Sequence, residues 1–204
     1  MKLTDFVDEV SRETPAPGGG SVAALAGALG AALSSMVANL TANKRGSSVE
    51  TDKILNGAAD KCQEIKNALV KAVDDDTNAY NDFIIAKRLP NKTSEEKKLR
   101  EEAMQNGLKH AVLVPLQTAQ LSYQIIEIAE EVAKHGNPSS ITDVGVGAQS
   151  AFTGVFGGVY NVLTNLKDIK DDKFNADMRN TCNELKMQAK ERLNKVLELV
   201  ESHL

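Results

Sequence analysis

Large flat side chains are almost missing from this chain: five Phe, three Tyr and no Trp in 204 residues. Strands draw on aromatic and β-branched residues, whereas Ala and Leu supply much of the apolar volume here, which favours close-packed helices over sheet layers. No segment alternates apolar and polar residues with period two. Cysteine is confined to Cys62 and Cys182. With no CxxC pair, zinc-ribbon and thioredoxin-like motifs are excluded, and buried thiols in a reducing compartment are expected. Positive charge is not in excess either. Lys and Arg number 24 against 28 Asp and Glu, for a net charge of -4, and no basic face leans on aromatics, so nucleic acid is not an expected partner. His110, His135 and His203 lack metal-ligand spacing, so neither a metal nor an imidazole-led mechanism is expected. Met1-Lys2-Leu3-Thr4-Asp5 lacks the basic-then-apolar plan of a secretory signal, and the expected location is cytoplasmic. The longest apolar run, residues 22–40, is mostly Ala, Gly and Ser; it reads as a buried core helix and not a membrane span.

What is present suits one helical domain over residues 1–204. Hydrophobic residues make up 42% of the chain and charged ones 25%, enough apolar material for a core, and no Pro/Ser/Gly linker divides it. Six helical segments are predicted. They run over about 4–12, 20–42, 49–87, 94–134, 138–166 and 173–202. Leu89-Pro90 ends the third, Thr93 or Ser94 caps the fourth, and Pro115 should kink it. Gly136 ends the fourth, and Asn137-Pro138 pairs an N-cap with a proline suited to the first helical position. The predicted fold is all-α, an antiparallel bundle.

Pro15-Ala16-Pro17-Gly18-Gly19-Gly20-Ser21 leads straight into the second helix. A glycine-rich entry of this kind exposes backbone N–H groups at a helix N-terminus, where partial positive charge favours an anion. No Walker lysine follows it, and Gly145-Val146-Gly147-Ala148-Gln149-Ser150 neither completes GxGxxG nor follows a strand, so no nucleotide site is expected. Two helices carry stripes of small residues: Ala23, Gly27, Ala31 (or Gly30) and Ser34 on the second, and Gly147, Ala151, Gly154 and Gly158 on the fifth. Each interior glycine costs about 1 kcal/mol relative to alanine, so either tight helix packing or a ligand groove must offset it.

One carboxylate is out of place. Cys62, Ile65, Leu69, Val73, Tyr80, Phe83 and Lys87 form a stripe at the helical period, and Asp76 falls within about 20° of its centre at about 100° per residue. Asp74 and Asp75 point away from it. An inward carboxylate must be paired, hydrogen-bonded or neutral, and desolvation raises its pKa. Two readings follow: a poised proton donor, or a core aspartate that links helices through hydrogen bonds. Asp143 poses the same choice. It sits among Ile141, Val144 and Val146, one turn before Gly147, and is either a site residue or a complement to its helix's N-terminal dipole. Lys87-Arg88-Leu89-Pro90-Asn91-Lys92 is a basic loop at the end of the inward helix, and Lys44-Arg45 follows the second helix. Both are solvated surface unless an anionic ligand reaches them.

These residues together resemble the cyclodeaminase/cyclohydrolase family of folate enzymes, found as the C-terminal domain of formiminotransferase-cyclodeaminase and as standalone proteins. The resemblance spans essentially the whole chain. It rests on Pro15 to Ala24, Asp76 with Ala79-Tyr80, and Arg88-Leu89-Pro90 followed by Thr93, Glu95-Glu96-Lys97 and Arg100. Val114-Pro115-Leu116, Gly136-Asn137, Asp143, Val155-Phe156-Gly157, Asn161-Val162-Leu163 and Asn165-Leu166 complete it. Gly46-Ser47-Ser48 stands where the family often has an aromatic, and Val73-Asp74-Asp75-Asp76 carries an additional acid, which leaves Asp74 as an alternative to Asp76.

The resemblance implies an all-helical homodimer, or a higher assembly of it, with a folate groove between subunits and Asp76 at the catalytic aspartate's position. The implied reaction converts 5-formiminotetrahydrofolate to 5,10-methenyltetrahydrofolate and ammonia, with Asp76 as proton donor and no metal or nucleotide. Asp143 would hold the pterin or tune Asp76. Gly18, Gly19, Gly20, Ser21, Lys44, Arg88 and Lys92 would contact the anionic tail of a polyglutamylated folate. A separate glutamate formiminotransferase is an implied partner. The alternatives are a 5,10-methenyltetrahydrofolate cyclohydrolase and a non-catalytic helical scaffold or folate-binding dimer.

Overall fold

The computed structural model describes residues 2–204, which form six α-helices and two short 3-10 turns, with no strand among the described residues. The helices are α1 (Leu3–Val10), α2 (Gly19–Thr41), α3 (Val49–Lys87), α4 (Ser94–His135), α5 (Ile141–Asn165) and α6 (Asp172–Glu201). Side-chain caps open three of the six helices. The Ser48 hydroxyl accepts from the Thr51 N–H at 3.0 Å to open α3, and Asp171 accepts from the Phe174 N–H at 3.0 Å to open α6. At α4, Thr93 and Glu96 satisfy each other's backbone N–H groups in a capping box. The predicted fifth segment divides: Pro138–Ser140 is a 3-10 turn capped by Asn137, and Leu166–Asp168 is another. Pro115 sits inside α4 without dividing it. The N-cap of α2 is Gly18, which has no side chain to cap the helix, and the N-cap of α5, Ser140, makes no side-chain cap either.

Paired contacts fix the directions. Ser21 meets Val73 while Ser35 meets Ala59, so α2 and α3 are antiparallel. Asn165 reaches Ala111 on α4, and the backbone around Gly154 lies against Ser122, so α4 and α5 are antiparallel too. α2 packs on α3, α4 and α5, while α6 closes the bundle against α4 and α5. Buried Leu55, Ile65, Leu69, Ile125, Val132, Val144, Val155 and Val196 fill the main core, and a smaller cluster of Leu108, Val112, Val162, Leu166 and Cys182 fills the other end. Burial pushes the Cys62 thiol up to about 12, so it stays protonated and inert.

The small-residue stripes serve close packing. A Cβ on Gly30 would lie 2.6 Å from the Gly147 carbonyl and 2.9 Å from the Ala151 amide, and one on Gly158 would lie 2.6 Å from the Pro115 carbonyl. Glycine here lets α5 approach α2 and α4 backbone to backbone. α2 is the one helix among the described residues long and apolar enough to cross a membrane, and 61% of its most apolar window is buried in the fold.

Candidate functional site

Asp76 lies where three helices converge. On α3 it sits on the bundle-facing side, though the predicted stripe is wrong at two positions: Tyr80 is 41% exposed and Lys87 is exposed, because the core side drifts to Ala72, Ala79 and Ala86. Ile65, Ala72, Ala79 and Ala86 are seven residues apart, and a seven-residue repeat shifts by about 20° per heptad around a straight helix, away from the constant phase of the predicted stripe. The Asp76 carboxylate rests against the first turn of α2. A Cβ on Gly20 would overlap its oxygens and Cγ, so only glycine admits it. The Ser21 hydroxyl is 3.3 Å from Asp76 Oδ2 and donates to the Val73 carbonyl at 2.8 Å. Asp76 thus occupies the uncapped N-terminus of α2.

Burial raises the Asp76 pKa, and hydrogen bonds from the Ser21 hydroxyl and backbone N–H oppose that rise without overcoming it. A hydroxyl has one hydrogen. Whenever Ser21 gives that hydrogen to Val73, the bond to Asp76 is completed only if the carboxyl supplies a proton itself. The site therefore favours a carboxyl that keeps its proton to higher pH than an exposed aspartate does.

Beside it opens a cavity of about 410 Å³. Gly18, Gly19 and Gly20 form its floor, Ala79, Tyr80 and Phe83 one wall, and Asn161, Thr164 and Asn165 of α5 another. Asn161 donates its amide N–H to the Gly157 carbonyl at 2.8 Å, and Asn165 donates to the Ala111 carbonyl at 2.7 Å. With those nitrogens engaged, the amide oxygens remain as acceptors for a ligand. Tyr80 and Phe83 offer ring faces on which a flat heterocycle can stack.

The structure brings together Asp76, Gly18, Gly19 and Gly20, with Ser21 behind them. Asp74 is exposed and borders a different depression beside Phe6 and Pro17, so of the two only Asp76 lines this cavity. Four other expected site residues lie elsewhere in the fold. Asp143 is in the first turn of α5, 18 residues from Asn161 and so roughly 27 Å along the axis. Lys44 follows the far end of α2, in a shallow groove with His135 and Gly136. Arg88 and Lys92 are exposed beyond the end of α3, Arg88 being roughly 18 Å along that helix from Asp76. None of the four lines the cavity. The pairing of Asp143 with Asp76 expected from sequence does not occur in this chain, since antiparallel packing places them at opposite ends of the bundle. Conversely, Tyr80, Phe83, Asn161, Asn165, Lys167 and Asp168 line the cavity, although none of them is among the site residues expected from sequence. Ala79, Tyr80 and Phe83 could have been found by their offsets of three, four and seven from Asp76.

The family model described as formiminotransferase-cyclodeaminase matches residues 2–184. This chain belongs to that family. Its relatives include the rat formimidoyltransferase-cyclodeaminase, 40% identical over 98% of this chain, and the Methylorubrum extorquens methenyltetrahydrofolate cyclohydrolase, 38% identical over 84% of it. The chain spans 37% of the rat protein's length but 82% of the bacterial one. Among solved structures, the formiminotetrahydrofolate cyclodeaminase of Thermotoga maritima superposes with a TM-score of 0.87 at 27% identity, covering 99% of this chain and 96% of that one. Family membership thus rests on sequence and on three-dimensional likeness alike.

Proposed function

We propose that this chain is a formiminotetrahydrofolate cyclodeaminase in which Asp76 handles the protons. The observation that carries this reading is the partly desolvated Asp76 carboxyl, seated against Gly20 at the floor of a cavity with aromatic and carboxamide walls. In the reaction, N10 of the folate attacks the formimino carbon on N5, forming the C–N10 bond. The exocyclic C–N bond then breaks. The imine nitrogen needs two protons to depart as ammonia: one comes from N10–H and the second from an acid. Asp76 relays the first and donates the second, regaining its own from solvent, a role that contributes on the order of 10²–10⁴-fold. Ring closure is intramolecular, so positioning supplies much of the remainder. Tyr80 and Phe83 stack the substrate's rings, and the Asn161 and Asn165 oxygens accept from pterin N–H groups.

A second reading, 5,10-methenyltetrahydrofolate cyclohydrolase, is favoured by how much of the Methylorubrum enzyme the chain spans. There water attacks the same carbon, and Asp76 acts as base. A single spectrophotometric assay separates the two, following the near-ultraviolet absorbance of the methenyl group. Its growth from the formimino substrate supports cyclodeaminase, its decay from the methenyl substrate above the uncatalysed rate supports cyclohydrolase, and silence with both refutes the enzyme reading.

The working unit in this proposal is a two-fold dimer. Val22, Leu29, Met36 and Leu40 on α2 and Val146 and Tyr160 on α5 are exposed apolar residues spread about the middles of both helices. A two-fold axis there sets each subunit's Asp76 end against its partner's Lys44 and Asp143 end. That arrangement returns to the site two residues that lie far away within one subunit. Mixing Asp76→Asn and Asp143→Asn proteins then restores about a quarter of wild-type activity by statistical exchange of subunits; no recovery rejects a shared site.

A further inference from the structure

We propose that Lys167 is the residue that holds the glutamyl carboxylate of the substrate, an assignment that rests on the folate reading above. Three observations carry it. First, among the described residues of one chain Lys167 is the single cationic side chain lining the cavity; the chain's own Lys44, Arg88 and Lys92, expected there, are absent from its walls. Second, its charge is free. Its neighbours Lys170 and Lys109 are engaged by Glu101 and Asp171, each at 2.6 Å, whereas among the described residues no carboxylate pairs with Lys167.

Third, its backbone is fixed. Gln105 on α4 clamps the segment after α5 from both sides: its Nε2 donates to the Asp168 carbonyl at 3.1 Å, and its Oε1 accepts from the Lys170 N–H at 3.0 Å. Asn175 donates to the Ile169 carbonyl at 2.8 Å. A flexible lysine on a held turn loses less freedom on binding than one on a loose loop.

The spacing fits as well. Asn161 lies beside Gly19 on the cavity floor, and Lys167 follows it by six residues, roughly 9–10 Å along the chain axis. That separation is comparable to a p-aminobenzoyl ring with its amide, the spacer between the reacting nitrogens of a folate and its glutamate. Asp168 lines the same mouth and offsets part of the attraction, so a modest effect is expected.

Steady-state kinetics on the full-length protein test this with two substrates, 5,10-methenyltetrahydrofolate and 5,10-methenyltetrahydropteroate, which lacks the glutamate; the formimino pair is used if the enzyme is a cyclodeaminase. For the folate, Lys167→Ala is expected to raise KM about fivefold and Lys167→Glu further, with kcat within about twofold, while Lys167→Arg restores KM. The folate effect shrinks as ionic strength rises. For the pteroate, KM should not change across the series. Wild-type turnover with an unchanged folate KM in Lys167→Ala, or an equal KM rise for both substrates, overturns the assignment. A wild-type enzyme silent on every substrate overturns the folate reading, and this assignment with it.

Discussion

Gly20→Ala separates the position of the acid from the stability of the fold. A methyl group there overlaps the Asp76 carboxyl oxygens and Cγ. The obstacle is the far end of a short side chain and not backbone, so Asp76 can rotate away. Rotation costs about 0.5–1.5 kcal/mol in torsional strain, and loss of the 3.3 Å contact with Ser21 costs about as much again. Against this, alanine in place of glycine in a helix returns up to about 1 kcal/mol. The net change lies within about 2 kcal/mol, and melting should shift by less than about 8 °C in a chain of this size. Activity should respond very differently. Moving the proton donor by an ångström or more costs on the order of 100-fold, so kcat should fall by about that factor or more. Calorimetry and the methenyl absorbance assay on the same preparation give both numbers. A kcat within about threefold of wild type, in a folded protein, refutes the claim that the carboxyl must sit at the α2 entry.

Other positions give independent checks. Gly30→Ala should destabilise by about 1–3 kcal/mol, because its Cβ meets the Gly147 and Ala151 backbone, which cannot rotate away; Gly57→Ala, with open space around it, should stabilise by up to about 1 kcal/mol, and urea unfolding measures both. Arg192→Ala removes the 2.6 Å partner of the nearly buried Glu130 and should cost about 1–3 kcal/mol. Lys134, the larger influence, and Arg192 hold the Glu130 pKa low, so the Arg192 contribution is present above the ordinary glutamate range and disappears as pH falls through the depressed pKa. The raised Asp76 pKa carries the opposite sign. Its folded form holds the proton more tightly than the unfolded chain does, so its favourable contribution is complete at acid pH and is lost as pH rises through the raised pKa. Cyclodeaminase kcat should fall through the same interval if the protonated acid is the donor, and a pH-rate profile flat across that limb contradicts this.

How much of this was legible in the sequence follows from which interactions are local. The α3 limits, the Thr93 cap and the packing role of Gly30, Gly147, Gly154 and Gly158 can be read from neighbours in sequence, because caps and helical faces are set within one or two turns. Asp76 was legible for the same reason: its phase on one helix shows it facing inward. The far wall was not legible from spacing. Asn161 and Asn165 reach the cavity only because α5 runs antiparallel to α4 and ends beside Gly19, and nothing local in their helix says so. Lys44 and Arg88 were expected at the site because they follow helices that enter it. A helix that begins at the site, as α2 does, ends a bundle's length away, and Lys44 travels with that end. Tyr80 lay between these cases. Its offset from Asp76 was visible, but its exposure depends on the drift of the α3 core face.

Asp76→Asn tests the central claim most directly, since it preserves shape and hydrogen bonding while removing the transferable proton. Turnover of the formimino substrate should fall by on the order of 10²–10⁴-fold, with a melting temperature at neutral pH equal to or above that of wild type, because an unfavourably placed charge is gone. Turnover within tenfold of wild type, or a clear drop in melting temperature, would mean that Asp76 is a structural link between α2 and α3 and that the proton comes from elsewhere.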